Sequence, residues 1–368
     1  MNRGLSGLNG RQSVKSTRID AFLLGVWGAC SVWGIPSAHA QAAPMCEPTQ
    51  VEQIRHSTDI TDLNLKCSLT LSADAIIARR VVIAGEEASG LVLDCAGGMI
   101  IAPEAEPYSL LIQSRRNSDG SWSVPRHVQV KNCTIIGGTR IVGMGINGQA
   151  ETVRESSLTA GHTERAQAAA PVDTQFDHVV FQGRGTIPLY IAPGVTHTAV
   201  RHSKITGRSV STAVYLDAES AHTELSDTVI DTQTRRELLA VDGSAHNWIE
   251  RNHFVSPVNG GIYLYRNCGE GGTVRHQAPQ FNRIEDNTFD YRAAWGWRPA
   301  VWIGSRAGWV GWRSYCAADS GYSLGSSVED GDFADHNVVQ NNIWLNRSIW
   351  WSTLDWGAEN VWSGNRRE

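Results

Sequence analysis

The sequence has no Cys-x-x-Cys motif, no run of basic residues and no long stretch with the apolar periodicity of a helix. Without cysteines at that spacing, a structural zinc site is not expected. The net charge of −5 and the lack of an RNA-binding signature give no indication of a nucleic-acid partner. With 41% hydrophobic residues, 19% charged residues and 36 Gly, the composition is typical of a turn-rich globular protein rather than a disordered one.

Two short sequence motifs built around apolar residues recur between Ile205 and Val301. We call them the first and the second phrase. The first apolar residues of the first phrase are Val214, Leu239, Ile262 and Val301, at steps of 25, 23 and 39 residues. The second phrase precedes each copy and recurs at Ile205, Ile230, Phe254 and Phe289. Alternating apolar residues indicate half-buried strands. A short repeat period that insertions lengthen always at the same point of the repeat is typical of stacked coils. The sequence therefore predicts an all-β fold, a single-stranded right-handed parallel β-helix with long loop insertions on one side.

Residues 1–40 have the features of a signal peptide: a basic start, an apolar segment from Ala21 to Ile35 and an A-x-A site that ends at Ala40. The apolar segment is short for a membrane span, and a lipoprotein site at Cys30 lacks the expected Leu three residues earlier. We therefore expect an exported protein, periplasmic or extracellular, without a membrane span after cleavage.

The rest of the chain divides into a cap and a solenoid. Residues 41–90 are predicted to form an N-terminal cap and the first coil, and residues 91–368 the β-helix. Insertions are predicted near 147–171, 267–280 and 304–335, and the first of them could hold a short helix because Glu, Arg and Ala dominate it. Since a solenoid grows by adding coils, one folded domain and a monomer are expected.

Six cysteines remain after the predicted cleavage: Cys46, Cys67, Cys95, Cys133, Cys268 and Cys316. An even number in an exported chain favours disulfides. Cys95 and Cys133 occupy the same position of successive coils, where stacking would bring them about 4.8 Å apart. They could form a disulfide or remain stacked thiols. Cys46 and Cys67 could close the cap, and Cys268 and Cys316 could staple the insertions.

One position of the repeat carries small polar residues and Asn. Its members are Cys95, Cys133, Ser203, Thr228, Asn252, Asn287 and Asn342. Stacked Asn side chains can hydrogen-bond to one another along a solenoid, so this position is predicted to be structural.

The residues that alternate with the buried apolar pair are expected to face solvent. One line of them is Tyr190, Tyr215, Ala240, Tyr263, Trp302 and Trp350, and its neighbour is Ala192, Asp217, Asp242, Tyr265, Gly304 and Ser352. Aromatic residues beside carboxylates, with insertions emerging next to them, are typical of a groove for an extended ligand.

The phrases LVLDCAGG, VKNCTIIGG and IERNHF…GIYLYRN resemble the pectate-lyase-like right-handed β-helix superfamily over roughly Cys67 to Trp362. The resemblance implies the fold. It does not imply one activity, because this superfamily includes lyases, hydrolases, uronan epimerases and non-catalytic adhesins. The Gly-His-Gly and Arg-Ile-Lys motifs of polygalacturonases and the Asp-Pro-His-Asp type motif of mannuronan epimerases are absent. No catalytic residue is therefore carried over.

Asp217 and Asp242 are predicted to lie on neighbouring coils about 4.8 Å apart, so the pKa of one should rise unless a cation intervenes. Three interpretations follow: strand-end residues with a structural role, a carboxylate pair of the retaining glycosidase type, or a calcium site. Calcium would need further oxygen ligands, and no metal ligand is assigned.

Arginine and tyrosine side chains surround this pair. The further candidate catalytic residues are Arg236, Glu237, Tyr263, Tyr265 and Arg266. The candidate substrate-binding residues are Tyr190, Tyr215, Arg235, Glu270, His276, Trp302 and Trp350. Arginine binds carboxylates bidentately, which suits a uronic acid, and Arg, Tyr or His can serve in β-elimination.

Ten of the fourteen Trp residues follow Asp290. Sugar rings stack on indole, so Trp302 and Trp350 are predicted to form subsites. Trp344 and Trp351 are predicted to fill or cover the last coil, and Trp309 and Trp312 to belong to a lid.

The sequence thus favours an exported enzyme that acts on an extended, acidic polysaccharide, as a lyase or epimerase of a uronate-containing glycan. A glycoside hydrolase that uses Asp217 and Asp242 is one alternative. A non-catalytic glycan-binding or adhesin-like solenoid is the other.

Overall fold

The computed structural model describes residues 42–267, 272–293, 295–306, 309–310, 313–314 and 331–368, with only the backbone at 309–310 and 313–314. Some residues with sequence predictions lie outside the described part of the chain. They are Cys268, Glu270, Cys316 and the side chains of Trp309 and Trp312.

Three parallel sheets of ten strands each wind along one axis as a right-handed β-helix, as the sequence predicted. The first sheet contains β1 (Leu63–Asn64), β4 (Val81–Ala84), β7 (Tyr108–Gln113), β12 (Gly138–Val142), β15 (Leu189–Ile191), β18 (Val214–Leu216), β21 (Leu239–Asp242), β24 (Ile262–Tyr265), β27 (Val301–Ile303) and β32 (Thr353–Asp355). The second sheet contains β2 (Leu69–Thr70), β5 (Val92–Asp94), β10 (Gln129–Lys131), β13 (Gln175–Asp177), β16 (Ala199–Arg201), β19 (Glu224–Ser226), β22 (Trp248–Glu250), β25 (Arg283–Glu285), β30 (Val338–Gln340) and β33 (Val361–Ser363). The third sheet contains β3 (Ile76–Ile77), β6 (Met99–Ile101), β11 (Thr134–Ile136), β14 (Val180–Gly185), β17 (Lys204–Ser209), β20 (Val229–Gln233), β23 (His253–Val255), β26 (Thr288–Asp290), β31 (Ile343–Leu345) and β34 (Arg366–Arg367).

The remaining elements decorate this solenoid. Two antiparallel pairs join β8 (Arg115–Arg116) to β9 (Trp122–Ser123) and β28 (Trp309–Val310) to β29 (Arg313–Ser314). Helix α1 (Pro48–His56) precedes the first strand, and helices α2 (Glu151–Ser157) and α3 (His162–Ala168) lie in the first predicted insertion. Short 3-10 helices span Glu86–Ala88 and Ile349–Trp351. Among the described residues, no helix combines the length and the apolar character that crossing a membrane requires.

The register of the repeat is confirmed. Val214 pairs with Leu239, and that line continues through Ile262 to Val301. The core between the sheets is built from such lines, and the rings of Phe254, Phe289 and Trp344 stack with centroids 5.0 and 5.2 Å apart. Fully burying a side chain of this kind contributes roughly 1.5–3 kcal/mol.

Polar and covalent links fix the turns between sheets. Cys95 and Cys133 form a disulfide, as do Cys46 and Cys67. The Asn ladder is confirmed, since the backbone N–H of Asn252 donates to Oδ1 of Asn287 at 3.0 Å, and that of Asn287 donates in turn to Oδ1 of Asn342 at 2.9 Å. A second, unpredicted ladder runs through Asn247, Asn282, Asn337 and Asn360.

Candidate functional site

The first sheet stacks the predicted site residues as expected over most of its length. Tyr190 pairs with Tyr215, and the same line continues through Ala240 and Tyr263 to Trp302. In the neighbouring line, Asp217 and Asp242 directly follow the paired residues Leu216 and Val241. The two carboxylates therefore lie on successive coils.

These side chains do not line an open groove, so the expectation that they face solvent is wrong. Asp217 and Asp242 are 1% and 0% exposed, and Tyr215 and Tyr265 are 8% and 1% exposed. The reason is that two insertions fold back over the sheet and bond to each other. Ser157 of α2 accepts a hydrogen bond from the backbone N–H of Val274 at 2.9 Å.

The buried carboxylates form a repeated pairing with tyrosine. Tyr190 Oη donates to Asp217 Oδ2 at 2.5 Å, and one coil later Tyr215 Oη donates to Asp242 Oδ2, also at 2.5 Å. The two phenol rings stack with centroids 5.0 Å apart. Asp242 also accepts from the backbone N–H of Asn267 at 2.7 Å. The same Tyr–Asp pair recurs on successive coils, and the carboxylate oxygens already accept hydrogen bonds from the protein. Both facts support a structural role for Asp217 and Asp242.

A buried cation balances this charge. Arg275 is 5% exposed, and its Nη1 lies 3.7 Å from Oδ1 of Asp217. Burial raises the pKa of Asp217, and the guanidinium of Arg275 opposes that rise. Gly148 donates its backbone N–H to Asp217 at 2.9 Å, and a Cβ there would collide with the Arg275 guanidinium. The calcium site considered for Asp217 and Asp242 does not fit, because hydrogen-bond donors and this cation already occupy the carboxylates.

The covering segment also contributes a contact that sequence reasoning missed. Glu219 is 1% exposed and accepts hydrogen bonds from Thr163 Oγ1 and from the backbone N–H of His276 at 2.8 Å. Burial raises the pKa of Glu219. His276, predicted to bind substrate, instead helps to fasten the insertion, since its Nε2 lies 2.8 Å from the carbonyl of Ser157. The sequence offers no local signal for this contact, because Thr163 and His276 come from two distant insertions.

One predicted group reaches the surface. Arg236 donates from Nη2 to Glu237 Oε1 at 2.6 Å and to Tyr265 Oη at 2.7 Å, and Tyr265 Oη lies 3.2 Å from Glu237 Oε1. The Arg236 side chain is 35% exposed, whereas Glu237 is buried. Burial and the neighbouring Glu237 raise the pKa of Tyr265, so the phenol stays protonated and acts as a hydrogen-bond donor. We call these three residues the Arg236 group.

Another arginine, Arg306, also meets this group, since its guanidinium covers the Tyr265 ring at 4.1 Å. The two remaining predicted arginines are Arg266 and Arg235. Arg266 Nη2 donates to the carbonyl of Gly331 at 2.9 Å, and its guanidinium covers the Phe333 ring at 4.7 Å. Arg235 is exposed. From the predicted cluster of arginine, glutamate and tyrosine, the structure joins Arg236, Glu237 and Tyr265 by hydrogen bonds.

The line of aromatic residues ends differently from the prediction. Trp302 pairs with Leu354 and not with Trp350, which lies in the 3-10 helix and is 82% exposed. The insertion between the last two coils shifted the alignment. Tyr263 and Trp302 contact each other edge to face at 5.4 Å. Trp344 is buried and fills the coil, as predicted, whereas Trp351 does not fill it, because that side chain is 74% exposed.

An open pocket of about 390 Å³ lies at the corner that follows the third sheet in the last coils. Its lining residues are Tyr291, Trp295, Gly296, Trp297, Asn346, Arg347, Ser348, Trp351 and Arg367, and we call it the Trp–Arg pocket. Trp295 and Trp297 meet edge to face with centroids 4.2 Å apart.

The two arginines of the Trp–Arg pocket differ in their constraints. The guanidinium of Arg347 covers the Tyr291 ring at 4.6 Å, and its Nε donates to Ser352 Oγ at 2.8 Å. Arg367 is exposed and makes no ion pair within the part of the chain that the structure describes. None of the described residues that line the pocket carries a carboxylate. Sequence reasoning missed this site because its residues come from three separate segments of the chain.

No protein-family model and no curated protein matches the chain. Several solved structures do. The alginate lyase of Paenibacillus sp. is 14% identical with a TM-score of 0.36, over 72% of this chain and 70% of that one. The Dettilon tailspike protein is 12% identical with a TM-score of 0.38, and the alignment covers 86% of this chain but only 62% of the tailspike. The A-module of mannuronan C-5 epimerase AlgE4 from Azotobacter vinelandii is 8% identical with a TM-score of 0.29, over 90% of this chain and 96% of the module. At this level of similarity, the fold rests on the three-sheet topology of the chain itself.

Proposed function

We propose that this protein is an exported β-helix that binds a uronate-containing polysaccharide in the Trp–Arg pocket. The observation that carries the proposal is the lining of that pocket, in which exposed indoles and two arginines occur without a carboxylate. Indole faces stack on the apolar faces of sugar rings, and guanidinium groups bind carboxylates. A neutral glycan would use only the first of these contacts, so the exposed Arg367 favours an acidic chain. The guanidinium of Arg347 instead donates to Ser352 Oγ and to the carbonyls of Gly296, Arg298 and Trp351, which fixes it in the wall of the pocket.

Binding measurements with defined variants test the proposal. Trp297→Ala and Arg367→Gln should each weaken binding of polygalacturonate or alginate by about tenfold, which is about 1.4 kcal/mol. Arg367→Gln should leave binding of a neutral glycan unchanged. Trp350→Ala is the matched control, because Trp350 is as exposed as Trp297, at 82%, but does not line the pocket. Equal binding by the wild type and the Trp297 variant in calorimetric titrations would refute the assignment.

A second candidate function, lyase or epimerase activity on the same glycan, is favoured by the Arg236 group. In that reaction the half-exposed Arg236 would neutralise the substrate carboxylate. The Tyr265 phenol would stay protonated and donate a hydrogen bond to the developing negative charge. Glu237 would be the base. Elimination leaves an unsaturated uronate that absorbs in the ultraviolet, whereas epimerisation changes the uronate composition without cutting the chain.

Tyr265→Phe separates binding from catalysis. If the Arg236 group is catalytic, this variant should lose turnover and keep its affinity for the glycan. If the wild type forms no product but binds, the protein is a non-catalytic glycan-binding solenoid. The hydrolase alternative requires new reducing ends without ultraviolet absorbance, and their loss in Asp242→Asn. The hydrogen bonds that Tyr190 and Tyr215 donate to Asp217 and Asp242 already occupy these carboxylates, which argues against it.

A further inference from the structure

Asp177, His178 and His202 bring three metal-ligating side chains together at one corner of the solenoid, outside the sites described above. Oxygen Oδ2 of Asp177 lies 3.0 Å from Nδ1 of His178, and Oδ1 lies 2.8 Å from Nδ1 of His202. One ligand atom from each residue lies within 4.8 Å of the others. The side chains are 50%, 61% and 53% exposed, so an ion could reach them from solvent.

The coil geometry explains why these groups converge. Asp177 ends β13 and pairs with Arg201, which ends β16, so His178 and His202 occupy the same turn position of successive coils. Both histidines have left-handed backbone angles, with φ of 54° and 48°. Their rings therefore leave the chain in the same direction and stack with centroids 5.1 Å apart. The single carboxylate of Asp177 bridges them.

We propose that Asp177, His178 and His202 form a binding site for a transition-metal ion of the Zn²⁺ type. Two imidazole nitrogens and one carboxylate oxygen are ligands that zinc accepts, whereas calcium requires six or more oxygens. Bond lengths near 2.1 Å place tetrahedral zinc ligands about 3.4 Å apart. The observed separations of 3.0 and 2.8 Å run to the two different oxygens of Asp177, and the three ligand atoms lie within 4.8 Å of one another, so binding one ion requires these exposed side chains to rearrange. The fourth position is open to water or to a ligand.

The surrounding charges permit a cation at this corner. The closest arginine along the chain, Arg201, is bound through Nε to Glu224 at 2.6 Å, and a second bond joins its Nη2 to the same carboxylate. On the next coil Arg251 makes two 2.9 Å bonds to Asp227. Both positive charges are therefore paired with carboxylates other than Asp177.

Titration of the tag-free protein with Zn²⁺ in a calorimeter tests the site. We expect one equivalent to bind to this corner. Loss of even an outer-shell partner typically lowers metal affinity 10–100-fold, so His178→Ala, His202→Ala and Asp177→Asn should each weaken binding by about tenfold or more. His222→Ala is the matched control. This residue lies in another stack of histidines, 4.7 Å from the His197 ring, and has the same left-handed backbone.

Three results would overturn the proposal. They are the absence of measurable Zn²⁺ binding, unchanged binding in all three ligand variants, and equal weakening in His222→Ala. A second readout is thermal, because an ion that binds only the folded state raises the melting temperature. That increase should be present in the wild type and in His222→Ala and missing in His202→Ala. Circular dichroism of each variant without metal shows that folding is intact.

Discussion

Removing the buried guanidinium of Arg275 should strongly destabilise the protein. In Arg275→Met the side-chain volume is nearly kept, but Asp217, Asp242 and Glu219 lose the cation that attracts them electrostatically. Breaking a buried ion pair from one side costs about 3–5 kcal/mol, because the remaining charge is buried without compensation. Urea denaturation followed by far-ultraviolet circular dichroism should therefore show a clearly lower midpoint.

The pH dependence of the stability lost in Arg275→Met identifies the cause of that loss. Burial raises the pKa of the Asp217 carboxyl in the folded protein, and removing Arg275 should raise it further. A carboxyl with a raised folded pKa contributes stability that is fully present below the unfolded pKa and is lost as the pH rises through the folded pKa. The deficit of Arg275→Met should therefore be smaller near about pH 5 than near about pH 8.

A second substitution completes the test. Asp217→Asn added to Arg275→Met removes the uncompensated charge and keeps a polar group beside Tyr190, so the double variant should be more stable than Arg275→Met alone. If Arg275→Met unfolds at the wild-type midpoint, or if the double variant recovers nothing at neutral pH, the assignment of these residues to a charge-balanced buried network is refuted.

Three further predictions concern the scaffold. Replacing Cys95 and Cys133 by Ser should cost about 4 kcal/mol, because their disulfide joins residues 38 apart in sequence; an unchanged urea midpoint would contradict this. Asn287→Leu should cost about 2–4 kcal/mol, because the buried N–H of Asn252 loses its acceptor, while the exposed Asn64→Ala should cost less than about 0.5 kcal/mol, both measured by urea denaturation. Burial lowers the pKa of His162 from 6.5 to about 4. The stability that neutral His162 contributes is therefore present above the unfolded pKa and is lost as the pH falls toward about 4. His162→Gln should flatten the measured slope of the free energy of unfolding against pH in that range.

The fold could be predicted because every coil repeats the same local requirement. Alternation around Val214 and Leu239 identifies strands, and the parallel pairing of successive coils turns the sequence period directly into spatial register. The Asn ladder followed from the same reasoning, since Asn252 and Asn287 occupy equal positions. Covalent pairing of Cys95 with Cys133 was within the predicted geometry, although the sequence also allowed free thiols.

The candidate site was less predictable because it depends on contacts between segments that are distant in sequence. The sequence around Asp217 does not show that Gly148 and Arg275 will cover it. Gly148 lies 69 residues earlier in the chain, and Arg275 belongs to a later insertion. The alignment of Trp350 failed for a related reason, since the long insertion before the last coil left its strand phrase ambiguous and Leu354 took the position. The Trp–Arg pocket required the third sheet to bring separate coils to one corner.

The spacing of the strands does not depend on the length of the connections between them. Phe254 pairs with Phe289 across 35 residues in the same way that Ile205 pairs with Ile230 across 25. Closing a longer loop costs little additional entropy, because the cost grows only with the logarithm of length. A foreign peptide grafted beside the exposed Val210, in the connection between β17 and β18, should therefore leave the stack intact, which makes this corner suitable for displaying engineered sequences.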